Sequence, residues 1–131
     1  MMNSPVPTTT KTADIVGETI FRSQMKAYIA DATEPLVFER CDFEGADLSR
    51  LDVSGFEFSG CSFIETSLYA ATMPRTVWLK SRGRQADFES ADLREADIGG
   101  VALLDARLFQ GATISHQQAS ELLAELGLIV A

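Results

Sequence analysis

The 131-residue chain holds one histidine, two cysteines, one tryptophan and four prolines, and each shortage closes off a class of reading. Two cysteines are too few for a disulfide framework. No CxxC or His-rich spacing offers ligands for zinc, so neither a metal nor another cofactor is expected. Bases are outnumbered, 11 Lys and Arg against 19 Asp and Glu, for a net charge of −8. A nucleic-acid binder must neutralise phosphates with cations, which excludes that ligand and leaves a basic partner or plain solubility. No apolar run approaches the ~18 residues that cross a bilayer, so no membrane contact is expected. The opening "MMNSPVPTTTKTAD" lacks the apolar core of a secretory signal. Residues 1–13 read as a disordered leader, and the reducing cytoplasm as the compartment. Length and a hydrophobic content of 46% suit one domain with one core.

What is present is a period of five. In "CDFEGADLSRLDVSGFEFSGCSF" the large apolar residues Phe43, Leu48, Val53, Phe58 and Phe63 fall five apart, matching neither helix nor strand. Followed in both directions, the series runs Phe38, Phe43, Leu48, Val53, Phe58, Phe63, Leu68, Met73, Trp78, Gly83, Phe88, Leu93, Ile98, Leu103, Leu108. Only Gly83 fails to be large and apolar. Two places earlier stands a second series of mostly small residues, among them Cys41, Ala46, Cys61, Thr66, Ala71, Ser81, Ala86, Ala91 and Ala96. The repeat fills residues 36–110 as 15 units, and repetition outranks local propensity as evidence for architecture. Each unit offers two inward residues and three outward ones. Four units close a square course of 20 residues, and stacked courses sit at the β spacing of about 4.8 Å. Residues 20 apart then form interior columns such as Phe38, Phe58, Trp78 and Ile98. In this register Phe58 and Phe63 point inward, Ser59 and Ser62 outward.

These units resemble the pentapeptide repeat family, whose motif is A(D/N)LXX: "GADLS", "QADFE", "SADLR" and "EADIG" are near-perfect copies. The resemblance implies an all-β solenoid, a right-handed quadrilateral β-helix. Its body spans residues 14–114. At the N-terminus Ile15, Ile20, Met25 and Ala30 keep the spacing, but eight residues separate Ala30 from Phe38. Residues 14–30 read as an irregular first course followed by a three-residue insertion. Residues 115–131 form the C-terminal cap. In "SHQQASELLAELG" Ser115 is placed as N-cap with Gln118 at N3, and Gly127 as the residue that ends the helix. Ala119, Leu122, Leu123 and Leu126 share one helical face.

The ends carry a narrower likeness. "GATISHQQASELLAELGLIVA" is similar to the C-terminal cap of the quinolone-resistance (Qnr) type within the family, and "VGETI" to its N-terminal start. That likeness implies a homodimer joined through Leu122, Leu123, Leu126, Leu128 and Ile129. It also implies an acidic rod that mimics DNA and binds DNA gyrase or topoisomerase IV. Chains of that type are longer than this one.

Catalytic chemistry finds no foothold. Cys41 and Cys61 share a column with Ser81 and read as small buried hydrophobes. His116 beside Ser115 lacks an orienting acid. Gly99 and Gly100 are turn residues, and Asp87 and Asp92 point outward from a solid rod. An enzyme is not expected.

The charge map carries more. Residues 36–65 hold seven acids (Glu39, Asp42, Glu44, Asp47, Asp52, Glu57, Glu65) against two bases, net −5. Residues 66–85 hold no acid and four bases, Arg75, Lys80, Arg82 and Arg84. Residues 86–105 hold six acids (Asp87, Glu89, Asp92, Glu95, Asp97, Asp105) against Arg94. Two acidic bands flank a basic one. That middle stretch also contains Pro74, Trp78 and Gly83, which point to a local bulge or projecting loop. Two functions stay open: a partner-binding acidic rod directed at a topoisomerase, and a scaffold module that presents banded charge to an unrelated partner. A plainer reading, which the resemblance implies, is that aspartate before the central residue is simply the family's favoured choice and gives solubility.

Overall fold

The computed structural model describes residues 12–97, 106–125 and 127–128. Ile98, Gly99, Gly100, Leu103, Asp105, Leu126, Ile129 and nearly all of the expected leader lie outside them. A 20-residue register organises what is described. Strand β1 (Ile15–Val16) pairs in parallel with β2 (Val37–Glu39), β2 with β3 (Glu57–Ser59), and β3 with β4 (Val77–Leu79). The other three sides of each course pair through single parallel bridges, Asp42 to Ser62, Asp47 to Ser67 and Asp52 to Thr72, repeated one course higher. Side one is built on residues 36–40, 56–60 and 76–80. Sides two, three and four follow at five-residue steps.

The corners explain why five residues make a side. Every fifth residue from Arg40 to Glu95 has a left-handed backbone, with φ between 53° and 75°. Three of these twelve are glycines, Gly45, Gly55 and Gly60, and the other nine carry side chains in a conformation that normally costs an L-residue about 1 kcal/mol or more. At most corners the amide of the next small residue donates back to the central carbonyl, as from Ala46 to Phe43 (3.0 Å) and from Ala91 to Phe88 (3.0 Å). Positive φ at the third residue of such a turn is the type II requirement.

Between sides one and two a side chain does this work. The Cys41 amide donates to Cys61 Sγ (3.4 Å) and the Cys61 amide to Ser81 Oγ (3.2 Å). Cys61 Sγ and Ser81 Oγ in turn donate to the Phe38 and Phe58 carbonyls. The Cys, Cys, Ser column therefore satisfies corner backbone from the course above, a role beyond that of small hydrophobes.

Both inward series are buried as the period requires. Phe43 stacks on Phe63 at 4.7 Å and 7°, and Phe38 on Phe58 at 5.4 Å and 19°. Such pairs add about 0.5–1.5 kcal/mol each to the burial itself. The bulge expected around residues 73–85 is absent: β4 and the bridges at Arg82 and Asp87 keep the register. Trp78 and Gly83 compensate each other. The Trp78 ring lies 4.3 Å from that of Phe63, whose column continues into the side-chain-free Gly83, so the large indole takes up the space that the glycine leaves. Its Nε1 is buried without a hydrogen-bond partner among the described residues.

Three expectations need correction. Residues 22–31 are an α-helix, α1 (Arg22–Asp31), and not part of an extended course. Ile15, Ile20 and Met25 are buried as expected, but Ala30 is exposed, because helical spacing turns Met25, Tyr28 and Ile29 toward the core instead. The Gln24 side chain accepts the Phe21 amide (3.0 Å) at the start of α1. Ser62 faces outward yet is only 4% exposed, since Glu44 folds across it and accepts its hydroxyl at 2.8 Å. Finally, Asp97 pairs with Val77, 20 residues away, whereas Thr113 pairs with Asp92, 21 away. This one-residue shift puts Phe109, in place of the expected Leu108, onto Phe88 (4.9 Å, 5°), within a 3₁₀ turn at Ala106–Phe109.

The last element is helix α2 (His116–Glu125). The Ser115 and Gln118 amides exchange bonds with each other's side chains (2.7 and 3.2 Å). Gln118 does more: its Nε2 donates to the carbonyls of Leu93 (2.6 Å) and Ala96 (2.9 Å), hooking α2 onto the corner backbone of side four. Gly127, with φ 83°, ends the helix, and the Leu128 amide donates to the Leu123 carbonyl.

Phe63→Ala should cost about 3–5 kcal/mol of stability, while Ser59→Ala on the outer surface should change it by no more than about 0.5. Urea titrations showing equal losses for the two variants would refute the register.

Candidate functional site

The outward positions are where charge can act, and the register sorts them. Directly before each central residue the columns read Asp42, Ser62, Arg82 on side two; Asp47, Ser67, Asp87 on side three; and Asp52, Thr72, Asp92 on side four. On side one, Val37, Glu57, Val77 and Asp97 stack. Carboxylates thus recur at every second course on sides three and four, about 9–10 Å apart.

Most of these aspartates are fixed. Asp42, Asp47, Asp52, Asp87 and Asp92 each accept, through Oδ1, the backbone amide two residues on, at 2.8–3.2 Å. That Asx bond is the local reason for aspartate at this place in the repeat, and it immobilises the carboxylate. Some charge is answered within the chain. Arg94 bonds both oxygens of Asp92 (2.9 and 2.7 Å). Arg22 lies 3.4 Å from Asp47 while donating to the carbonyls of Asp47 and Ser49 (3.0 Å each). The Ser49 hydroxyl and amide lower the Asp47 carboxyl below its usual range. Glu44 is tied to Ser62. Glu89 is half-buried and Glu95 exposed, the latter at a corner.

The four bases do not ring the rod. Lys80 stands at the corner ending side one, Arg82 and Arg84 on side two, and Arg75 at the corner ending side four. Side three has no base in that course. It shows Tyr69, with the Arg50 guanidinium 5.1 Å above its ring. Side two is polarised instead, with Asp42 and Glu44 in its first course, Glu65 in its second, and Arg82 and Arg84 in its third. The band inferred along the sequence becomes, in space and among the described residues, a basic region on one side of an acidic body.

Toward the C-terminus Leu123 and Leu128 are exposed, Leu128 by 55%, as is Ile114. Leu126 and Ile129 lie outside the described residues, as does the Leu122 side chain.

Residues with catalytic potential are occupied otherwise. The Ser115 hydroxyl accepts the cap amide, and His116 is exposed at the first position of α2. Burial pushes the Cys61 thiol up to about 12 and raises that of Cys41, leaving both neutral. Among the described residues no three His, Cys, Asp or Glu gather as a metal site, and no helix is long and apolar enough to cross a membrane.

The profile of pentapeptide repeats matches residues 41–77 of this chain in eight copies. No curated protein matches it. Solved structures similar to it include full-length QnrB1, a plasmid-mediated fluoroquinolone resistance protein, at 20% identity over 87% of this chain and 97% of that one, with a TM-score of 0.28. A trypsin-treated form of QnrB1 reaches 18% identity over 89% and 96%, with a TM-score of 0.34. A pentapeptide repeat protein (Rfr23) from the cyanobacterium Cyanothece 51142 reaches 14% over 79% and 82%, again with a TM-score of 0.34.

The Arg94 guanidinium, more than any other group, holds the Asp92 carboxyl below its ordinary range. The stabilisation that follows is complete above the unfolded value of about 3.9 and is lost as pH falls through the lower folded value. Carboxyl NMR should find the Asp92 midpoint below that of an unperturbed aspartate, with Arg94→Ala moving it upward. An unmoved midpoint would assign the shift to another cause.

Proposed function

We propose that this chain is a non-enzymatic binding rod, a right-handed quadrilateral β-helix closed by α2, whose acidic surface occupies the basic DNA channel of DNA gyrase or topoisomerase IV. The observation that carries this reading is the set of immobilised carboxylates: Asp42, Asp47, Asp52, Asp87 and Asp92 keep fixed positions through their Asx bonds. Anions fixed before encounter lose little entropy on binding. Glu44, Glu57, Glu89, Glu95 and Asp97 widen the acidic surface, and the net charge of −8 favours encounter with a basic partner. The sequence likeness of both chain ends to the Qnr type supports gyrase as that partner. Arg75, Lys80, Arg82 and Arg84 limit the imitation to part of the rod, most of all on side two.

The second reading is a scaffold for an unrelated partner. It is favoured by the same Asx bonds, because an aspartate needed to hold a turn requires no partner to explain it.

The exposed Leu123 and Leu128 support a homodimer joined through the C-terminal cap, with Leu122, Leu126 and Ile129 in the same interface. A twofold contact presents one patch to its own copy. Light scattering at tens of micromolar should give twice the chain mass for the wild type and the single mass for Leu128→Glu. A monomeric wild type would end this assignment.

The functional test is DNA supercoiling by gyrase, with and without a fluoroquinolone, over a titration of this protein. Inhibition at high dose or relief of drug-induced cleavage is expected, weakening as salt screens the charges over about 8–10 Å. Asp87→Asn, Asp92→Asn and Asp97→Asn together remove charge, and at Asp87 and Asp92 they keep the oxygen that accepts the turn amide. The triple variant should lose the effect. No change at any wild-type dose, or a triple variant equal to wild type, would leave the scaffold reading.

A further inference from the structure

Where α1 ends, the chain folds back over side four and leaves a notch of about 270 Å³, lined by Ile29, Ala32, Thr33, Glu34, Pro35, Asp52, Ser54 and Phe56. Its wall is set by close packing: a Cβ at Gly55 would meet Pro35 Cγ at 3.2 Å, so the returning segment lies directly against this side. Three features of the notch agree in sign. Its lining includes two carboxylates, Glu34 and Asp52, and among the described residues no base. The C-terminal end of α1 forms its rim, where helix carbonyls collect partial negative charge, and the last turn of α1 contains no basic residue to offset it. Asp52 is held by its bonds from the Ser54 amide and hydroxyl (3.0 and 2.6 Å), both made through Oδ1. Its Oδ2 makes no bond among the described residues. Arg75, one course above Gly55, is not part of the lining. The lining also includes the apolar side chains of Ile29, Pro35 and Phe56.

An apolar lining beside the fixed Asp52 carboxylate and a helix C-terminus suits a side chain that is aliphatic along its stem and cationic at its tip. We infer that this notch takes a lysine or arginine side chain from an exposed basic segment of a partner protein. The stem lies along Ile29 and Pro35, and the head reaches Asp52 Oδ2 and the end of α1. The inference rests on the chain being a partner-binding protein, but not on gyrase being the partner, so its test is independent of supercoiling.

The probe is acetyl-Gly-Arg-Gly-amide, with acetyl-Gly-Lys-Gly-amide beside it and the neutral acetyl-Gly-Gln-Gly-amide as control. Each is titrated into the full ¹⁵N-labelled chain at low salt. Saturable shifts of the Ala32, Thr33 and Ser54 amides are expected with at least one cationic peptide, and none with the glutamine peptide. Asp52→Asn preserves the Oδ1 acceptor and should weaken binding about threefold or more. Ala32→Phe, which fills the notch from its rim, should abolish it, while Asp87→Asn on side three should leave it unchanged. Equal shifts with the glutamine peptide would overturn the inference. So would shifts spread over all acidic sides without preference for the notch, or binding untouched by both notch variants.

Discussion

Everything in this structure depends on the backbone returning to the same place every 20 residues. The parallel bonds between courses run along the stack, so each course is held by the one above and the one below. A residue's partner is therefore fixed by counting, not by side-chain choice. The left-handed corners are the local cost of this arrangement. Nine residues with side chains accept a disfavoured conformation so that the chain can turn through a corner after only five residues, and the continuous ladder of bonds offsets that cost.

Side-chain chemistry follows from the count. Inward places hold columns, and the columns set packing by stacking like on like, as in Phe43 over Phe63. Where the corner's own backbone bond is missing, a thiol or hydroxyl one course higher supplies it, which gives Cys61 and Ser81 a purpose. Outward, the place before each centre is taken by aspartate because its carboxylate closes the turn. A feature that began as local turn chemistry thus generates a lattice of fixed negative charge, and the proposed binding function is a use of that lattice.

The period, both inward series and the capping box were legible because each leaves a pattern along the sequence. Helix α1 was not, because Ile15, Ile20 and Met25 happen to satisfy the five-residue spacing while Arg22–Asp31 turns with a period of 3.6. Nor was the hook made by Gln118: its place in the capping box is local, but its bonds to Leu93 and Ala96 cross more than 20 residues of chain. The shape of the basic region also escaped. Counting along the chain wraps Arg75, Lys80, Arg82 and Arg84 around one course, and only the column register shows that side three is free of them. Residue by residue the Pro74 to Gly83 stretch reads as irregular, whereas the backbone register runs through it unbroken.

The pairing of Trp78 with Gly83 has a consequence for how such an interior can change over time. One place is overfilled and its neighbour is empty, yet the course is full. The quantity that must be conserved is the volume of a layer, shared among four central residues, and not the size of any one of them. A larger residue at Gly83 is therefore best accommodated in company with a smaller one at Trp78. Substitutions inside the rod should be inherited as linked pairs within a layer, so that two descendants of one ancestor can differ at both places while neither single intermediate folds as well as either.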